Sequence, residues 1–257
     1  MTRKWIAVAL LCFALAWPAA ANAGLITWEL EGTLEQVAPY SLLDGFLAPN
    51  PEDIIPQLEA VGFRAGAYWR ARVTFDSDTA VEPCPECVGY TEFNNATRSI
   101  EFMAGDFAAS MPEGAVGDAL ILPFTNGSSG GVALVYFAPM ESGSDTLFAD
   151  SAQLVFAPIQ ASLFPTTTLP IEAPDPAALV APTPGLYGTL LGTHFRLKGH
   201  GFVPGGNILV SPGLVAQSFA VDGRITSIVA VPEPAAFALV LVAAAAIASR
   251  RRSRALP

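Results

Sequence analysis

The sequence predicts an all-β fold, a β-sandwich or jelly roll, and three observations carry that prediction. Ile26, Trp28 and Leu30 alternate with Thr27, Glu29 and Glu31. Ala67, Trp69, Ala71, Val73 and Phe75 alternate with Tyr68, Arg70, Arg72, Thr74 and Asp76. A period of two held over such lengths marks strands with one face buried and one face wet. Weaker strand patterns recur at 100–102, 154–156, 195–197, 219–221 and 225–229. Gly- and Pro-rich breaks, such as Thr125-Asn126-Gly127-Ser128-Ser129-Gly130-Gly131 and Pro204-Gly205-Gly206-Asn207, lie between strand patterns. Only residues 51–60 read as helix. Many short strands joined by turn signals point to a sandwich or jelly roll.

The elements follow in order. Arg3 and Lys4 form a positive start, residues 5–17 are apolar, and Ala21-Asn22-Ala23 supplies small residues where a signal peptidase reads. Residues 1–23 are therefore expected to be a secretory signal peptide, cut between Ala23 and Gly24. Cys12 leaves with it, because Leu11 is not the small residue that lipid attachment needs. The first strand begins directly after the cut, and Leu34 keeps its parity. Pro51 opens the helix, acidic residues follow in its first turn, and Pro56 limits it. Residues 120–124 and 132–137 are continuous apolar runs, which suit strands buried on both faces. Six prolines between 163 and 185 predict an extended surface loop, with a hinge between sub-domains as the alternative. Asp222-Gly223, between two strand patterns, reads as a two-residue hairpin turn.

Charge is lopsided in the exported domain, residues 24–230. Of 23 acidic residues only Glu233 lies beyond it, leaving 22; of 13 basic ones Arg3, Lys4 and four tail arginines do, leaving 7. The resulting charge of about −15 repels nucleic acid and anionic lipid. Neutral or cationic partners, neutral sugars among them, are compatible with it. Solubility outside the cell explains the same balance.

Residues 231–257 carry the most specific pattern. Pro232-Glu233-Pro234 is followed by residues 235–248, which hold no charged or polar side chain, and then by Arg250, Arg251, Arg252 and Arg254. As a helix that run spans about 21 Å at about 1.5 Å per residue, short of the roughly 30 Å hydrocarbon core. Arginines at its end hold that side on the cytoplasmic face. These three parts in this order, behind a signal peptide, resemble the PEP-CTERM sorting signal. The resemblance covers the last 27 residues or so and departs only in the trailing Ala255-Leu256-Pro257. It implies an exosortase as partner, recognition at or near Pro232-Glu233-Pro234, transient anchoring in the inner membrane, and a Gram-negative producer of exopolysaccharide. A plain C-terminal anchor is the alternative. The first strand after the signal peptide and the stretch Val221-Asp222-Gly223-Arg224-Ile225-Thr226-Ser227 before the motif also look like PEP-CTERM proteins.

Candidates for chemistry are few. Cys84-Pro85-Glu86-Cys87 is expected to close a small disulfide loop in an oxidising compartment. Glu82 and Glu86 beside it oppose a reactive thiolate, and zinc lacks a second C-x-x-C. His194 and His200 sit six apart on a strand, roughly 20 Å from each other, and cannot share a metal unless the chain turns at Gly199. They are expected to be exposed. No G-x-S-x-G hints at a triad, and Ser128-Ser129 is read as a flexible turn. Asp76-Ser77-Asp78 offers carboxylates to calcium or forms a solvated turn. Asn95-Ala96-Thr97 and Asn126-Gly127-Ser128 match an acceptor pattern that here marks surface turns. Trp28 and Trp69 fall on the apolar parity and are expected in the core. Tyr68, with Arg70 and Arg72 on the same outward face, is the candidate ligand surface, by analogy with sugar-binding sandwiches.

The expectation is an exported, exosortase-processed envelope or matrix protein, structural or adhesive, with no catalysis, cofactor or metal of its own. A carbohydrate-binding module for exopolysaccharide is the second reading and an exported hydrolase the third.

Overall fold

The computed structural model describes residues 24–39, 51–82, 91–126, 129–142, 144, 146–157, 168–184, 190–204 and 214–231. Its strands are β1 (Leu25–Pro39), β2 (Tyr68–Asp76), β3 (Thr91–Ala104), β4 (Phe107–Ser110), β5 (Gly117–Asn126) and β6 (Ser129–Pro139). They continue with β7 (Glu141–Ser142), β8 (Leu147–Phe156), β9 (Thr183–Pro184), β10 (Leu190–Leu191), β11 (His194–Pro204) and β12 (Leu214–Val231). The described residues are all-β apart from short helical turns, as the alternation predicts.

The long sheet runs β2-β1-β12-β11-β8-β6-β5-β3, and β2 pairs with β3 again, so the sheet closes on itself. Every ladder is antiparallel. β4 and β5 share one place in the wall: β3 pairs with β4 through 101–104 and with β5 through 91–97. β7 continues β6 and pairs with β4. The result is an eight-position barrel in which neighbours in sequence are neighbours in space.

This differs from the expected sandwich or jelly roll. Period-two alternation reports one buried face per strand, and a barrel and a sandwich both have that. Closure rests on the ladder Trp69↔Ala104 to Phe75↔Thr97, a pairing between strands that no local pattern encodes.

An eight-stranded barrel is just wide enough for side chains to fill. Here aromatic rings fill it. Trp28, Phe75, Tyr136 and Phe156 form one group, with Trp28 and Phe75 centroids 4.7 Å apart. Trp69, Phe102 and Phe195 stack as a second. Phe63, Phe107 and Phe219 form a third. All are buried, including the two tryptophans expected there. Such offset and edge contacts add to the area term. The outward face of the same strands carries Glu29, Glu31, Arg70, Arg72 and Glu101, all exposed. Apolar inside and charged outside is the reverse of an outer-membrane barrel's polarity.

The expected helix closes one end. A 3-10 turn, Pro51–Ile54, leads into α1 (Ile55–Ala60), with Pro56 in its first turn, where a missing N–H is harmless. Ile54 and Leu58 are fully buried. Gly201 on β11 makes room for them: a Cβ there would lie 2.9 Å from Gln57 Oε1 and 3.1 Å from Ile54 Cδ1.

Two loop expectations change. Asp222-Gly223 is not a turn, because β12 runs unbroken from Leu214 to Val231. Gly223 faces inward, and a Cβ there would stand 2.3 Å from Trp69 Nε1, so the glycine makes room for an indole ring rather than for a bend. The proline-rich stretch, where described, is more than surface loop. Leu169 and Leu179 join the core, and Val180 N–H donates to Ala157 O while Thr193 N–H donates to Val180 O.

Candidate functional site

The predicted surface is assembled across three strands. Register places Glu29, Arg72 and Glu101 in one row over β1, β2 and β3, and Glu31, Arg70 and Met103 in the next. Tyr68 lies at the end of β2, 55% exposed. Arg72 Nη2 donates to Glu29 Oε1 at 2.6 Å, and its Nη1 lies 3.8 Å from Glu101 Oε2. Arg70 Nη2 donates to Met103 Sδ at 3.2 Å. Apart from Tyr68, these side chains line a shallow depression in the outer wall.

Electrostatics follow from these neighbours. Hydrogen bonding to the Glu31 carboxylate, then slight burial and that carboxylate's charge, lift the Tyr68 phenol above its ordinary value, against the pull of Arg70. Glu29 holds the Arg72 guanidinium further into its charged form. Charged groups thus find partners on the neighbouring strand. Exposed pairs of this kind are worth about 0–1 kcal/mol each. A ligand that replaces one such contact therefore loses little. The site offers two cations, three carboxylates, a phenol and a thioether, which is the equipment of a binding surface.

The structure places both histidines on the outward face of β11, which continues as a strand through Gly199, with a register shift against β8 at Lys198/Gly199 but no turn. His200, expected to be exposed, is half-buried, its side chain 31% exposed. Its ring stacks on Phe148 at 5.3 Å, and its Nδ1 lies 2.9 Å from Asp150 Oδ1. Phe202, 41% exposed, stands edge-on to both rings. His194, also expected to be exposed, is only 4% exposed. Its Nδ1 meets Gly192 O at 3.0 Å, and burial pushes its pKa below the ordinary value, against smaller upward contributions from that carbonyl and Asp222. Beside it Arg196 and Asp222 form a buried pair. Sequence reasoning missed Asp150 and this pair. The turn assigned at Asp222 hid the partner of Arg196.

Asp76-Ser77-Asp78 is a turn in which Asp78 N–H donates to Asp76 Oδ1 at 3.1 Å, while Asp76 Oδ2 pairs with Arg98. Asn95 takes a positive φ of 59° at a break in the β3–β5 register. Thr97 behind it is fully buried and bonds Asp118 O, so that acceptor pattern is structural. Among the described residues no group of three or more His, Cys, Asp or Glu is placed to hold a metal. None of their helices is long and apolar enough to cross a membrane. Ala23, Cys84, Cys87, Pro232, Glu233, Pro234, Arg250, Arg251, Arg252 and Arg254 lie outside the described residues.

In comparison with known proteins, the chain matches no family model, no curated protein and no solved structure.

Proposed function

We propose that this chain is an exported envelope or extracellular-matrix protein, sorted and processed by exosortase through its C-terminal tail, with a structural or adhesive barrel and no catalysis of its own. A signal peptide at 1–23 and a short apolar helix within 231–257 flank the barrel. The protein crosses the inner membrane, is held there transiently by the tail, and is released to the cell surface or beyond, in association with exopolysaccharide.

One observation carries this reading. β1 starts at Leu25, one residue past the expected signal-peptidase cut, and β12 ends at Val231, directly before Pro232-Glu233-Pro234. The barrel therefore fills the interval between the two processing points. Thr27 pairs with Val231 and Trp28 with Ala230, so both ends leave the same rim. Two membrane segments attached there can enter the bilayer side by side while the barrel stands clear of it.

Intact mass of the protein from its native host tests the proposal. An N-terminus at Gly24 and a C-terminus near residues 232–234 are expected. Pro232→Ala with Pro234→Ala should leave full-length protein in the membrane of an exosortase-bearing host, and unchanged release would sink the sorting reading.

A second reading, a carbohydrate-binding module, is favoured by exposed Tyr68 beside Arg70 and Arg72 over a shallow depression. Retarded migration in polysaccharide gels, lost in Tyr68→Ala, separates it from a purely structural role.

A further inference from the structure

Residue 24 is buried although it stands just ahead of the first strand, and the turn after β2 packs against it. Gly24 O accepts from Ser77 N–H at 2.6 Å and from Ser77 Oγ–H at 2.9 Å. A Cβ on Gly24 would stand 2.6 Å from Asp78 Oδ2 and 2.8 Å from Asp76 Oδ1, so only glycine lets the carboxylates come this near. The amino nitrogen of Gly24 is one bond from the same Cα, which keeps it within about 5 Å of those oxygens.

The partners of the two carboxylates differ. Asp76 accepts from Arg98 and from the Asp78 N–H. The Asp78 carboxylate accepts no hydrogen bond from another described residue. Asp76, Asp78 and Arg98 together leave one uncompensated negative charge. Calcium would need six to eight oxygens, and Asp76 is already committed to Arg98 and the turn.

We propose that the Asp76-Ser77-Asp78 turn receives the chain's own N-terminal ammonium. The inference rests on the export reading. Hydrolysis of the Ala23–Gly24 bond consumes one water, leaves a carboxylate on Ala23 and a free ammonium on Gly24. Before the cut, residue 24 presents a neutral amide to Asp78. After it, a full positive charge stands within the range where opposite charges stabilise each other's ionised forms. Removal of the signal peptide thereby locks the start of β1 to the end of β2, completing the rim from which the tail departs.

The test is acylation of the mature protein recovered after export. Beyond residue 23 the chain has one lysine, Lys198, which serves as the internal reference for the α-amine. At pH 7 the α-amine of the wild type should react about three- to tenfold more slowly than in Asp78→Asn, as a pKa held up to one unit above the ordinary α-amino value requires. A serine inserted between Ala23 and Gly24 moves the ammonium about 3.5 Å along the chain, and should give the same fast reaction without touching the turn. Equal rates in the wild type and both variants, with Gly24 as the proven first residue, would overturn the proposal and leave export intact. A mature N-terminus elsewhere would overturn both.

Discussion

Arg196 and Asp222 face each other across β11 and β12, joined by two parallel hydrogen bonds, Nε to Oδ1 at 2.6 Å and Nη2 to Oδ2 at 2.9 Å. Both lie on the outward face of the wall, yet their side chains keep only 10% and 2% of their exposure. A buried pair of this kind is weak in net terms but strongly destabilising to break, because the survivor is left charged and dry. Asp222→Ala should therefore cost about 3–5 kcal/mol in urea unfolding. The double variant Arg196→Met with Asp222→Leu should cost markedly less. Equal losses in the single and double variants would show that shape, not charge, is what matters there.

Gly223 sets the second expectation. In Gly223→Ala the new methyl would lie 2.3 Å from Trp69 Nε1, and Trp69 is fully buried against Phe102 and Phe195. The ring has nowhere to go without disturbing its neighbours. Overpacking of this kind costs about 1–3 kcal/mol, and the melting temperature should drop accordingly. Ala216, exposed on the same strand, provides the control: Ala216→Ser should leave stability within about 0.5 kcal/mol.

These two sites also show what the sequence could and could not tell. The parity of β1 and β2 assigned Trp28, Trp69, Val73 and Phe75 to the core and Tyr68, Arg70 and Arg72 to the surface, because alternation is a local property of each strand. The helix at 51–60 was legible for the same reason. Asp222-Gly223 was misread because a glycine after aspartate looks the same whether it turns a hairpin or clears space for an indole ring. Closure through β2 and β3, the Arg196–Asp222 pair and the contact of Gly24 with the 76–78 turn join residues 22 to 54 positions apart. Such meetings are decided by packing of the whole barrel, and no window of sequence contains them.

Tyr136 carries an expectation of the opposite sign. Its ring is fully buried between Trp28, Phe75 and Phe156, and its hydroxyl has no hydrogen-bond partner among the described residues. Burial lifts the phenol well above its ordinary value. An unpaired buried hydroxyl costs about 1–3 kcal/mol of desolvation. Tyr136→Phe keeps the ring and removes that cost, so the melting temperature should stay level or rise. A fall of several degrees would mean that the hydroxyl is satisfied in solution.

His194 makes stability depend on pH in a direction that can be worked out. Burial lowers its folded-state pKa below the 6.5 of a free histidine, and Asp222, Arg196 and the Gly192 carbonyl are the charged and polar groups that act on it. Above about pH 6.5 the ring is neutral in both states, and its contribution is complete. As the pH falls through 6.5 the unfolded chain takes up a proton that the folded barrel still refuses. The unfolded state then binds more protons, so stability declines on acidification. The decline ends once the pH passes the lowered folded value and both states are protonated. His194→Gln removes the titrating group, so its melting temperature should change less than the wild type's between about pH 7.5 and 5.5. Parallel curves for the two proteins across that window would show that the ring is wet enough to titrate normally, and that the outward face of β11 is more open than its burial at His194 implies.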